Sequence, residues 1–97
     1  MITYEVTVKV RADLRESFER FMIDQHVPDL MATGCFASAS LSRSAQGRYR
    51  ASYVANDRNA LDLYMEEHAL RLRGHVMKSF PEGLSFEREE WEVLGTF

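Results

Sequence analysis

Residues Ile2 to Val10 alternate along the chain, with Ile2, Tyr4, Val6, Val8 and Val10 on one side and Thr3, Glu5, Thr7 and Lys9 on the other. A period of two rich in β-branched residues predicts a half-buried strand. The period then lengthens. Leu14, Phe18, Phe21 and Met22 form a stripe at helical spacing, and Asp13 with Glu16 three residues on makes a capping-box pattern. A helix from about Asp13 to Gln25 follows.

Pro28 disfavours helical geometry at Val27 and lacks the amide that a continuing helix would use. The helix is therefore expected to kink or restart there, with Pro28 in a first turn, and Gly34 stands where the second piece would end. Phe36 to Arg43 and Arg48 to Ala55 read as strands, joined through Ser44-Ala45-Gln46-Gly47 as a hairpin. Asn56 or Asp57 can cap a second helix. Its stripe is Leu61, Tyr64, Met65 and His68, continued by Leu72, Val76, Met77 and Phe80 and weakened at Gly74. Pro81-Glu82-Gly83 ends it, and Leu84 to Leu94 is the last strand. Apolar parity changes between Phe86 and Trp91, which suggests a bulge or a contact with another chain.

The order β-α-β-β-α-β predicts an α+β fold of the ferredoxin-like type, an antiparallel sheet with both helices on one face, in one domain spanning residues 1–97. Two helices cover only one side of such a sheet. The other side carries Thr3, Glu5, Thr7, Ser38 or its neighbours, Arg48 or Arg50, and several glutamates between Glu87 and Glu92. It either stays solvated or meets a second copy, and a homodimer through this face is the expectation, with Glu5, Arg50 and Trp91 as interface candidates.

Composition narrows the function classes. The 97 residues are 45% hydrophobic and 28% charged, as in an ordinary globular protein. A formal charge of −3 lacks the basic footprint of a nucleic-acid binder, and a ferredoxin-like sheet that bound RNA would need basic and aromatic residues together on its open face. The N-terminus alternates and carries Glu5 and Lys9, unlike a signal peptide or a membrane span. The single cysteine, Cys35, allows no intrachain disulfide. A cytoplasmic protein with no nucleic-acid or membrane partner is expected.

Candidate chemistry centres on His26. Imidazole titrates near neutral pH, so at a helix end facing a cleft it would serve as acid, base or hydrogen-bond donor; alternatively it satisfies carbonyls that the helix end leaves free. His68 lies on the apolar stripe of the second helix, where a histidine bonded to backbone is the default. His75 beside Gly74 reads as surface, and the arginines from Arg71 onward read as a solvated face. No two histidines share the spacing that places metal ligands on one helical turn, so no metal is expected. Cys35 reads as a small buried hydrophobe rather than a nucleophile. Tyr4, Tyr49, Tyr53, Tyr64, Phe18, Phe21, Phe36 and Trp91 suffice to line a pocket or to build a core. Arg50, if buried between sheets, would need a carboxylate from Glu5, Glu87, Glu89 or Glu90, as a dimer clasp or as an anion-binding group.

Several segments together resemble a family of small bacterial proteins of unknown function: Tyr4 to Val8, Phe18 to Met22, the His-x-Pro segment His26 to Phe36, the paired tyrosines Tyr49 to Tyr53, and Tyr64 with His68, Ala69, Leu72 and Arg73. That family commonly has a proline after the His-Ala pair, and a break is expected after His68; this chain has Leu70 in the proline's place, which weakens that expectation. A first helix running into His-x-Pro, then a glycine before the second strand, is more distantly similar to the dimeric α/β-barrel superfamily, including ethyl tert-butyl ether degradation-like proteins and antibiotic-biosynthesis-type monooxygenases. The resemblance implies a homodimer built face to face through its sheets and a small-molecule cleft between sheet and helices, often without cofactor. His26 would be its catalytic candidate, with Tyr4, Phe36, Tyr53 and His68 at the cleft. The competing reading is a non-catalytic interaction or sensor module with a filled interior.

Overall fold

The computed structural model describes all residues, Met1–Phe97. Four strands, β1 (Ile2–Val10), β2 (Phe36–Arg43), β3 (Arg48–Ala55) and β4 (Leu84–Glu92), form one antiparallel sheet in the order β2-β3-β1-β4. Helices α1 (Arg15–Phe21), α2 (Val27–Ala32), α3 (Arg58–Glu67) and α4 (Ala69–Ser79) lie between the strands in sequence. This is the expected ferredoxin-like α+β fold. Its core holds Tyr4 and Val8 of β1, Tyr49, Ala51 and Tyr53 of β3, Phe18 and Met22, Leu30, and Leu61, Tyr64 and Leu72 from the later helices.

Three local features depart from the sequence reading. Asp13 does not cap the first helix; its carboxylate accepts from Arg11 Nε at 2.7 Å, and a short 3₁₀ turn over Ala12–Leu14 precedes α1. The second helical region runs unbroken through Gly74 as α4 and breaks instead at His68, where the resemblance expected it even with Leu70 in the proline's place: His68 leaves helical geometry with φ −125°. β4 pairs with β1 without interruption from Ile2↔Glu92 to Val10↔Leu84, so the expected bulge is absent. The irregularity lies in β2 instead, where Ala37 is skipped between Phe36↔Ala55 and Ser38↔Val54. One extra residue there lets Phe36, Ala39 and Leu41 all face the helices despite their changed parity.

Pro28 is accommodated without a break. The chain winds from α1 through a π-helical turn, Met22–His26, directly into α2, with Pro28 in its first turn and Val27 in helical geometry at φ −62°, ψ −45°. Val27 N–H donates to Met22 O, five residues back, and the widened turn makes room for the ring that an ordinary α-turn would press against the carbonyl four residues earlier. Gly34, at φ +76°, ends α2. Asp57 caps α3 by accepting from Ala60 N–H at 2.7 Å, while Asn56 ties its amide to Gly34 O at 2.8 Å.

The even positions of β4 (Leu84, Phe86, Arg88, Glu90, Glu92) share the helix-covered face with Val10, Val8, Val6, Tyr4 and Ile2. Trp91 therefore projects from the opposite, uncovered face, where it stands across from Thr3 and is 50% exposed.

Candidate functional site

The wide turn has a consequence for His26. In a regular α-helix, residues four apart drift around the axis, so Phe18, Met22, His26 and Leu30 would spiral away from one line. The π-helical turn corrects that drift. All four side chains line a single cavity between the helices and the sheet, and His26 stays on the stripe of Phe18 and Met22 despite Pro28. The floor comes from Tyr4, Val6 and Val8 of β1 and Tyr53 of β3, and the remaining walls from Tyr64, Val76, Phe86, Arg73 and Arg88.

About 400 Å³ of empty space lies among these atoms, mouth included, but only about 30 Å³ of it admits the centre of a water molecule. In this conformation the interior has room for no more than one or two water-sized groups. Arg88, exposed on the edge strand and stacked on Phe86 with its guanidinium carbon 4.8 Å from the ring centroid, stands at the mouth.

His26 is mostly buried and stacks on Phe21 with ring centroids 5.8 Å apart. Its Nδ1 is buried without a hydrogen-bond partner. Burial lowers its pKa from 6.5 to about 4; Asp29 opposes this, whereas His75 and Arg88 reinforce it. At pH 7 the ring is neutral, so it does not do the carbonyl-satisfying work of a charged helix-ending histidine. His75, expected at the surface, is half-buried, and its Nδ1 also lacks a partner.

Arg73 is the residue that the sequence reading placed wrongly. Its side chain turns inward, with Nη2 donating to Tyr4 Oη at 3.1 Å and contacting Met65 Sδ at 3.8 Å, while Nε is buried and unpartnered. A signal for it was present. Ala69, Leu72, Arg73, Val76 and Phe80 fall on one helical stripe, and Arg88 falls on the apolar parity of Leu84 and Phe86. In both places a cation occupies a position the pattern reserves for the core.

Of the other expected cleft residues, Tyr4 and Tyr53 line the cavity and Phe36 and His68 do not. Phe36 packs behind it, 5.0 Å from Tyr64 and 5.4 Å from Tyr53 between ring centroids. His68 sits at the α3–α4 break with Nδ1 3.1 Å from Arg71 Nη2. Burial raises the pKa of Tyr53 and Tyr64, so both present protonated phenols. Cys35 is buried with Sγ 3.8 Å from Thr33 O.

On the outer sheet face Arg50 Nε lies 3.8 Å from Glu5 Oε1, with the arginine side chain 61% exposed and the glutamate 24%. Thr3 is buried between its cross-strand neighbours Val54 and Trp91.

The model of a domain of unknown function, DUF4286, matches residues 1–94. The chain belongs to that family. No curated protein matches this DUF4286 chain. Among solved structures it is similar to SnoaB, a cofactor-independent oxygenase from Streptomyces nogalater, with TM-score 0.78 and 14% identity over 98% of this chain and 94% of that one. A dimeric ferredoxin-like protein from an uncultured marine organism gives TM-score 0.75 and 13% identity over 99% and 97%. An ethyl tert-butyl ether degradation family protein of Bacillus halodurans gives 0.71 and 14% over 97% and 100%. At such identities the likeness is one of fold. It places the DUF4286 chain in the architecture shared with oxygenase-like and ether-degradation-like proteins. No helix of the chain is long and apolar enough to cross a membrane.

Proposed function

We propose that the chain is a homodimeric small-molecule-binding protein, enzyme-like in build, whose ligand enters the cavity beside His26. The observation that carries this reading is the pair of buried, unpartnered nitrogens on the cavity residues His26 and Arg73. Leaving such atoms without a partner costs about 1–3 kcal/mol each, and a ligand that supplied the missing bonds would recover that energy. A neutral imidazole against aromatic walls supports proton transfer at an oxygen or an activated carbon of the ligand, chemistry that side chains alone can perform. His26 is the residue proposed to carry it.

The second copy would cover the outer sheet face. Trp91 and Val54 make an apolar patch there on either side of the buried Thr3, and Glu5, Glu87 and Glu89 balance Lys9, Arg48 and Arg50 around it. A two-fold axis lets such a surface pair with itself. Sedimentation at micromolar concentration should give twice the 11.2 kDa chain mass. The free Cys35 suits a reducing cytoplasm.

The small interior favours one alternative, an interaction module that binds partners on its surface. Fluorine NMR with a library of monocyclic aromatic fragments separates the two. Fragments should bind the wild type and fail to bind Val76→Phe, which fills the cavity. Binding that is absent, or indifferent to Val76→Phe, would leave the interaction module as the function.

A further inference from the structure

Of the ten arginines, Arg11, Arg20, Arg43, Arg50 and Arg58 each lie within 4.0 Å of a carboxylate and Arg15, Arg48, Arg71, Arg73 and Arg88 do not; of these last five, Arg73 and Arg88 line the cavity. Acid is not scarce, since the chain carries 15 Asp and Glu against 12 Lys and Arg. A guanidinium in a largely apolar wall is costly unless paired, and Arg73 satisfies only part of its donor fork, on the Tyr4 hydroxyl and the Met65 sulfur. His26, neutral at pH 7, adds no competing charge.

We infer that the cavity takes a small organic anion, a carboxylate on a flat ring, whose charge is held by Arg73 within and Arg88 at the mouth while its ring lies against Phe86 and the tyrosines of the floor. A planar guanidinium matches a carboxylate with two parallel hydrogen bonds, which the buried Arg73 Nε is free to begin. Arg88 already carries an aromatic ring against its face, which leaves the donor edge of its guanidinium for an anion. The inference rests on the proposed small-molecule reading and names the ligand class for it. Entry of a ring requires Phe86 and Arg88, the half-buried and exposed members of the wall, to swing outward.

Benzoate and its neutral isostere benzamide test the charge directly. Chemical-shift titration at about pH 7 should show benzoate binding at least about tenfold tighter than benzamide, with shifts at Tyr4, His26 and Phe86. Arg73→Gln should erase that preference, Arg73→Lys should keep part of it, and Arg88→Gln should lower it less because that side chain is solvated. Far-UV circular dichroism establishes that each variant is folded, and a salt titration of the wild type gives a second readout that needs no variant: benzoate affinity should fall with ionic strength and benzamide affinity should not. Equal binding of the two probes, or a preference untouched by Arg73→Gln, overturns the anion inference while leaving the cavity reading intact. If neither probe binds and the fragment library also fails, both readings fall.

Discussion

Replacing His26 by leucine should make the chain more resistant to acid. The wild-type imidazole is held neutral by burial, with its folded pKa near 4 against 6.5 for the free group. Because the folded value is depressed, the unfolded chain takes up a proton on this residue before the folded chain does. The stability that the neutral ring retains is complete above pH 6.5, is lost as pH falls toward 4, and changes no further below that. The full gap corresponds to about 3 kcal/mol, of which about 2 kcal/mol is lost by pH 5. Leucine has a similar volume, keeps contact with Phe21 and removes the unpartnered Nδ1, so at pH 7 the variant should be within about 1 kcal/mol of wild type. Urea unfolding followed by far-UV circular dichroism, at one fixed protein concentration and at pH 7 and pH 5, gives the two differences. Carboxylates such as Asp13 and Glu19, whose pKa values lie below the ordinary range because of their Arg11, Tyr49 and Arg43 partners, titrate alike in both proteins and cancel. A pH dependence parallel in the two proteins to within about 0.5 kcal/mol would refute the reasoning and place the ring in water.

Gly34→Ala should destabilise the fold by about 1–2 kcal/mol in the same assay, because a Cβ meets no atom within 4 Å there and only the left-handed backbone at φ +76° opposes it. Leu72→Ala, at a position with no exposed surface, should cost about 2–5 kcal/mol. Arg50→Ala should change the chain's own folding by less than about 1 kcal/mol, given an exposed pair at 3.8 Å, yet should shift the monomer–dimer equilibrium measured by sedimentation toward monomer. Trp91→Glu should dissociate the dimer more completely, by placing a charge in the apolar patch; unchanged association in both variants would remove the outer sheet face as the interface.

The element order and the sheet architecture were legible because alternation in β1 and the helical stripes around Phe18 and Leu61 are local patterns with a strong physical cause, the need to bury one face. The hairpin through Ser44–Gly47 was legible for the same reason, with Gly47 in the left-handed region that its turn requires. The candidate site was half legible. His26 stood out as a residue type in an unusual setting. Arg73 was grouped with its charged neighbours along the chain, although its spacing from Ala69 and Val76 set it on the buried side. The charge run obscured the stripe.

Residues Ile2 to Glu92 determined by themselves which segments extend, which coil and which faces seek cover, since each of those choices is decided within a few residues. The π-helical turn, the skipped Ala37 and the break at His68 were decided by the assembled structure. Each shifts the phase of an element by about one residue at little local cost, and only the packing of helix against sheet selects which phase is kept. The same holds for the site. Whether an imidazole is charged and whether an arginine meets a carboxylate depend on atoms many residues apart, such as Arg73 and Tyr4, that the folded chain alone brings within 3.1 Å.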